Sequence, residues 1–362
     1  MNTATEIAIA AKQDGPLEAG RRILTHSSEA AFKTCPRRYY LSYQLGLRPA
    51  FSSDALRMGN AFHIGLESAK HGNDATAAAT AVRDAYADAD CPPWLDREEF
   101  EVEQETAVAL VLGWMHKWKD DRICEYVAIE HSFELPILNP TTGRVTPSYN
   151  SGGKIDAICR LPDDRLAIVE HKTTSESIEP GSDYWNRLLM DSQISRYVLA
   201  ARQSGFDVRT TVYDVTRKPQ IRPRQTTKQE RSQGTYYGLR LDCACPDRET
   251  PQMYGARLLT DLVTRPEFYF ARMEIPRLDA DLSEFQAEQW TIQRAIRESE
   301  LNERNWGAAA WPRNTGACLF PYRCQFFDVC RGLSGNPQEQ IPDGFKRVDV
   351  LHPELVNRGT ES

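Results

Sequence analysis

The stretch Leu166–Thr174, LAIVEHKTT, starts as an apolar strand and ends in Glu170, His171 and Lys172. Charge is buried where it is paired or bound to metal, so a carboxylate and an amine at the end of a core strand point to a working edge. Upstream, Asp156 follows Gly152-Gly153 in GGKIDAICRL, and the turn Pro162-Asp163-Asp164 separates the two runs as a hairpin. Alternation puts Leu166, Ile168, Glu170 and Lys172 on one face and Ala167, Val169 and His171 on the other. A three-residue loop pairs Leu161 with Arg165 and sets Asp156 opposite Glu170, whereas a two-residue loop sets it opposite His171. Two carboxylates about 5 Å apart repel each other, and a hard divalent cation relieves that repulsion. Lys172 would orient or activate a water, or neutralise charge developing on a phosphate. The His171 carbonyl is available as a further oxygen ligand, with its imidazole pointing away.

More residue pairs stand at helical spacing around this hairpin. Gly59 and His63 are one turn apart in DALRMGNAFHIGLESAKHG, so the small residue leaves room for a ligand and His63 adds an imidazole that Mn accepts. Gln193 and Tyr197 are spaced alike in LLMDSQISRYVLAARQSG, placed to hold a scissile phosphate or its neighbour. Residues 216–231, TRKPQIRPRQTTKQER, carry Arg217, Lys218, Arg222, Arg224, Lys228 and Arg231 against one acid, Glu230. Such a run is either a nucleic-acid backbone contact or a solvated loop.

The elements that must position these residues follow from pattern and punctuation. Residues 1–22 read as a loose tail. SSEAAFKTCPRRYYLSYQLGL reads as a helix starting at Ser28, a break at Cys35-Pro36 and a second short aromatic helix. The run 54–72 is a helix with Leu56, Phe62, Leu66 and Ala69 near one face, and 75–88 and 98–120 continue helical. From 124 to 172 the pattern is β-like, then helix returns at 188–205, a strand at 207–218 and helices at 250–264 and 280–301. The order predicts an α/β (α+β) fold, a mixed sheet flanked by helices. The expected divisions are a helical part at 23–121, a sheet core at 122–216, a basic insertion at 217–250, a C-terminal helical part at 251–335 and a tail at 336–362.

At 362 residues with 41% hydrophobic and 26% charged residues, the chain has the composition of a soluble globular protein. No apolar run reaches membrane-spanning length and MNTATEIAIAAKQDGPLEAG lacks a basic region followed by an apolar one, so a cytoplasmic location and no membrane partner are expected. A net charge of −7 argues against non-specific coating of nucleic acid while allowing a local basic groove. Nine cysteines without a leader read as thiols or metal ligands. Cys91, Cys124 and Cys159 are expected in the core and Cys243-x-Cys245 in a loop.

In this order, Gly59 with His63, Asp156, Glu170-x-Lys172 and Gln193 with Tyr197 resemble the PD-(D/E)XK nuclease superfamily, and within it the RecB-like branch that includes CRISPR-associated and phage iron-sulfur exonucleases. The resemblance covers most of Ser28 to Cys330. It implies a restriction-endonuclease-like sheet and Mg- or Mn-dependent hydrolysis of DNA phosphodiesters, on single strands or ends. Asp156, Glu170 and His63, with the His171 carbonyl, would hold the metal, Lys172 would serve the attacking water, and Gln193 and Tyr197 would steady the substrate. The branch also contains members with a 4Fe-4S cluster held by one upstream and three C-terminal cysteines, which here correspond to Cys35, Cys318, Cys324 and Cys330; zinc is the second choice for four thiolates. A tie between Cys35 and Cys318 would staple the two helical parts together, worth roughly 5 kcal/mol on the loop-closure account. No GxxxxGK[ST] occurs, so any unwinding would come from a helicase or recombination partner. The competing reading is a catalytically inactive DNA-binding or partner-docking subunit on the same fold, and an RNA or nucleotide hydrolase uses the same metal chemistry.

Overall fold

The structure, a computed structural model, describes residues 21–87, 91–120, 125–237, 239–332 and 336–355. In chain order they form β1 (Arg22–Leu24), α1 (His26–Thr34), α2 (Pro36–Tyr39) leading into a π-helical turn (Tyr40–Gln44), β2 (Leu47–Pro49), α3 (Asp54–Lys70), α4 (Ala75–Ala87) and α5 (Arg97–Trp118). Next come β3 (Glu125–Leu138), β4 (Val145–Arg160), β5 (Leu166–Thr174), α6 (Asp183–Leu189), α7 (Ser192–Gln203) and β6 (Val208–Arg217). The rest are α8 (Lys228–Gln233), β7 (Thr235–Tyr236), β8 (Leu239–Arg240), α9 (Pro251–Thr264), α10 (Pro266–Tyr269), β9 (Phe270–Pro276), α11 (Asp279–Trp306), α12 (Phe327–Cys330) and β10 (Phe345–Arg347).

The expected central mixed sheet flanked by helices is present, with six strands in the order β1-β4-β5-β6-β9 and β3 paired to β4. β5 and β6 are parallel, which requires the crossover that α6 and α7 supply. β4 and β5 are antiparallel, with Ala157 opposite Val169 and Arg160 opposite Leu166. The Leu161 N–H donates to the Arg165 carbonyl at 2.8 Å, which closes a three-residue loop, and Asp164 takes the left-handed position with φ of 65°. One step back along the same register sets Asp156 against Glu170.

The feature that opens the site is a fork along one edge of β4. β3 covers one edge, pairing with residues from 150 to 160. On the opposite edge β1 pairs with Tyr149, Asn150 and Ser151, and β5 pairs only from Ala157 onward. Residues 152–156 therefore have no strand partner on that edge among the described residues. Gly152 and Gly153 sit in this gap because neighbouring side chains crowd it: a Cβ at 152 would come within 2.5 Å of Ile23, and one at 153 within 2.7 Å of the Phe133 ring.

Apolar packing covers both faces of the sheet. Ile158, Ile168, Tyr213 and Val215 pack with Ile194, Val198 and Ala201 of α7. Ala157, Cys159, Ala167, Val169 and Val212 form the opposite layer. A third cluster joins Phe62 and Leu66 of α3 to Val82 of α4, Val108 and Trp114 of α5 and Leu258 of α9. A fourth joins Tyr39 and Tyr40 to Trp311, Phe326 and Val329, tying the N-terminal helices to the cysteine-bearing segment.

Several local expectations are corrected. α1 starts at His26, not Ser28: Thr25 is the cap, and Ser28 completes a reciprocal capping box at the third helical position. Arg22, expected in a tail, belongs to a strand docked on β4. Leu56 is exposed, because it lies in the first turn of α3, beyond the reach of the core. The helix expected at 188–205 breaks at Met190-Asp191, where Asp191 caps α7. β9 was not anticipated; it is an edge strand whose FARMEIP lacks a regular alternation. The basic insertion carries α8 and a small β7-β8 hairpin. In the expected C-terminal tail, β10 pairs with β2 and Phe345 stacks on Phe326. Cys159 is buried and Cys91 packs against the α3-α5 cluster, while Cys124 and residues 1–20 lie outside the described residues. Cys243 is exposed, but Cys245 is buried.

Candidate active site

Asp156 and Glu170 face each other across the fork, and each is held by neighbours that sequence pattern placed nearby. Because β5 has left the β4 ladder here, the His171 N–H donates to Asp156 Oδ2 at 3.0 Å, a side chain standing in for the missing backbone acceptor. His63 Nδ1 lies 3.6 Å from the same oxygen. Glu170 is almost fully buried; Lys172 donates to its Oε1 at 2.7 Å, while its Oε2 is buried with no hydrogen-bond partner. Burial, opposed by Lys172 and reinforced by Asp156, pushes the Glu170 carboxyl up to about 8. For Lys172, burial is outweighed by Glu170 and Asp191, so its ammonium is held above its ordinary range.

α7 delivers the next residues. Asp191, its N-cap, accepts from the Gln193 N–H at 2.9 Å and lies 4.0 Å from the Lys172 ammonium. Lys172 donates to Gln193 Oε1 at 2.5 Å, and Gln193 Nε2 donates to the Tyr197 hydroxyl at 2.8 Å. Lysine, amide and phenol thus form one chain, beginning at Glu170. Burial, with Glu170 and Asp156 adding to it, raises the Tyr197 phenol, which stays protonated at neutral pH.

The His171 imidazole goes to the other side of the sheet, as alternation requires. It is buried against Trp114, with Nδ1 3.7 Å from Asp214, and neither ring nitrogen has a hydrogen-bond partner. Burial and the nearby Lys70, His63 and Arg272 hold it well below its usual range, so the ring is neutral.

His63, Asp156, Gln193 and Tyr197 open together onto a cavity of about 240 Å³. Its remaining wall includes His26 and Ser27 from α1, Glu67 from α3, Glu130, Lys154 and Pro353. Glu170 and Lys172 are not part of this lining, and Lys172 connects to it through its hydrogen bond to Gln193. None of the six basic residues expected to bind DNA lines it. Arg224 is paired with Glu230 at 2.8 Å and Glu249 at 3.3 Å, and Arg231 with Asp247 at 3.3 Å, so these two stabilise the insertion itself. Arg217 lies over the Phe268 ring, Lys218 is partly buried at the end of β6, and Arg222 and Lys228 are exposed.

Sequence reasoning missed three neighbours. Lys70, with 1% of its side chain exposed, donates to the Asp156 carbonyl at 3.0 Å and lies 3.8 Å from Glu130. Glu130 stands cross-strand from Asp156 with φ of 51°, a left-handed conformation inside a strand, and also pairs with Lys154. Lys70 is two helical turns beyond His63, which was the available signal. Asp191 had a cap signature, and Glu130 had none.

Two groups of side chains can be tested for a cofactor. Among the described residues no set of three or more His, Cys, Asp or Glu side chains forms a ready coordination cluster. The buried, unpartnered Glu170 Oε2, on the residue set against Asp156 by the strand register, nevertheless matches what an oxygen-seeking divalent cation requires. Cys35, Cys318, Cys324 and Cys330 all line one further cavity, with Arg38 and Arg313 at its wall. Burial raises the Cys330 thiol, Arg37 opposes this, and Cys324, Cys35 and Cys318 add to it, as expected of four thiols drawn together.

A family model of the PD-(D/E)XK nuclease superfamily matches residues 23–331. With that span and this sheet, the chain belongs to the PD-(D/E)XK nuclease superfamily, whose members are metal-dependent nucleases that hydrolyse phosphodiesters with divalent metals such as Mg or Mn. None of the curated proteins compared with the chain matches it significantly. No helix among the described residues is long and apolar enough to cross a membrane.

Proposed function

We propose that the chain is a DNA exonuclease acting on single strands or DNA ends in the cytoplasm, with one nuclease domain over 23–335. The observation that carries this reading is the orphaned oxygen of Glu170, a residue set against Asp156 by the register where β4 and β5 part. Asp156 and Glu170, assisted by His63 and the His171 carbonyl, would hold Mg or Mn. Such a cation supplies Lewis acidity at the scissile phosphate and a nucleophile at neutral pH. Lys172, charged and fixed between Glu170 and Gln193, orients the attacking water and opposes the negative charge that grows on the phosphate. Gln193 and Tyr197 donate toward the substrate from the cavity wall. Among the basic residues, Arg222 and Lys228 remain available for backbone contact, with Arg217 and Lys218 at the root of the insertion.

Digestion of single- and double-stranded DNA with Mg or Mn tests this. Glu170→Gln is expected to abolish cleavage while folding and DNA binding persist; cleavage that survives it overturns the assignment of Glu170, and a wild type that binds DNA but cleaves none with either cation returns the chain to a DNA-binding or partner-docking module.

The four cysteines fit a 4Fe-4S cluster better than zinc because the RecB-like branch provides the precedent, and their cavity joins both ends of the chain. Anaerobic purification followed by metal analysis and an absorbance scan decides the occupant: iron with a broad charge-transfer band is expected, and zinc in a colourless protein overturns it.

A further inference from the structure

The loop between Cys318 and Cys324 exposes Leu319 at 62%, Phe320 at 79% and Tyr322 at 84%. Single exposed apolar residues are ordinary, but no other stretch among the described residues places three large ones, each more than half exposed, within four positions. The loop is anchored at its base. The Cys324 N–H donates to the Cys318 carbonyl at 2.8 Å, and Arg323 is paired with Asp328 at 2.8 Å while lying over the Phe327 ring. Phe320 and Tyr322 stack on no other aromatic ring among the described residues. Their rings are therefore presented outward from a fixed frame.

The surroundings are basic on an acidic protein. Lys33, Arg38, Arg313, Arg323 and Arg331 are exposed, Asp328 is the one acid between Trp311 and Gly332, and the chain as a whole carries −7. Arg38 and Arg313 line the same cavity as Cys318 and Cys324, so these cations adjoin the aromatic loop. Exposed aromatics beside arginines match the faces of unpaired bases and the phosphates between them. A duplex hides those faces.

α1 connects this surface to the cleavage cavity. Thr25, His26 and Ser27 at its N-terminal end line the cavity that holds Asp156, and Thr34 with Cys35 at its C-terminal end line the cysteine cavity. At a helical rise of 1.5 Å per residue, the two are separated by about 14 Å, a reach of a few nucleotides. We propose that Phe320 and Tyr322, flanked by Arg38 and Arg313, form a stacking platform for the bases of a single-stranded polynucleotide whose phosphate enters the Asp156 cavity. This rests on the nuclease reading above and specifies how its substrate is gripped.

The test uses the full chain. Anisotropy with a long labelled oligothymidylate and with a blunt duplex, in EDTA, compares the wild type with Phe320→Ala/Tyr322→Ala, with Tyr322→Phe and with Trp94→Ala as an exposed aromatic elsewhere. Single-strand affinity is expected to fall roughly tenfold for each aromatic removed, with the duplex unaffected and Tyr322→Phe and Trp94→Ala near wild type. Unchanged single-strand affinity in the double variant overturns the platform, and so does an equal loss for the duplex. A shift in oligomeric state by sedimentation, with DNA affinity intact, would instead make the patch a protein contact and overturn it as well. Hydrolysis of a small activated phosphodiester such as bis(p-nitrophenyl) phosphate reports on the carboxylate site alone. Its absence in the wild type alongside intact oligothymidylate binding removes the nuclease reading, not the platform.

Discussion

The buried Glu170 carboxyl makes stability depend on pH in a direction that can be worked out. Its folded value is raised from 4.5 to about 8, by burial first and the Asp156 charge next, with Lys172 opposing. Folding therefore takes up a proton between those two values. The stability contribution is fully present below 4.5 and is lost as pH rises through about 8. Each pH unit in that window is worth at most about 1.4 kcal/mol, and the whole window roughly 5 kcal/mol as an upper limit. Urea unfolding in EDTA at about pH 5 and about pH 8 should show this loss, and Glu170→Gln should flatten it. A cation that needs the ionised carboxylate acts in the opposite sense, so Mg or Mn at about a hundred times its Kd should restore about 3 kcal/mol at the higher pH and little at the lower. Wild type and Glu170→Gln showing the same slope would refute the assignment of Glu170 as the proton-binding group. Equal stabilisation by the cation at both pH values would refute its placement on that carboxylate.

Gly153→Ala should destabilise by about 1–3 kcal/mol and lower kcat, because its Cβ would press within 2.7 Å of Phe133 and 3.2 Å of Tyr197; chemical denaturation and single-turnover rates read the two effects. Arg196→Met should cost about 3–5 kcal/mol in urea unfolding, since it strands Glu29, buried at 2.5 Å from the guanidinium, while the double change Glu29→Leu/Arg196→Met should recover most of that. Lys172→Met should reduce kcat far more than it raises KM, because the ammonium is bonded to Glu170 and Gln193 and is not part of the cavity lining; a change confined to KM would make it a substrate-binding group.

The sequence was most informative where a single periodicity decided the outcome. Alternation along LAIVEHKTT was enough to send the His171 ring away from Glu170, whereas the Pro162–Asp164 turn left two registers open, and the three-residue loop in the structure is what sets Asp156 against Glu170. Helical spacing likewise brought Gln193 to Tyr197, whose contact is direct at 2.8 Å. Glu130 escaped because its contribution depends on a left-handed backbone conformation within β3, which composition does not encode. Lys70 was legible only as a helix residue, since its contact with the Asp156 carbonyl depends on where α3 crosses the sheet. In the basic run 216–231 the pairing of two arginines was hidden for a different reason. Charge counting sees only nearby acids, whereas Glu249 and Asp247, which neutralise Arg224 and Arg231, return from further along the insertion. β1 was lost because three residues carry too short a pattern to register.

The segment 336–355 bears on how the protein can be engineered. It leaves the aromatic contact between Phe345 and Phe326, runs beside β2, and brings His352 to Thr25 and Pro353 to the rim of the Asp156 cavity. Shortening the chain ahead of Asn336 would strip a covering from the cysteine lobe and a rim from the Asp156 cavity in one cut. A fusion partner joined directly after Leu355 would start beside the opening of the cavity that Asp156 lines.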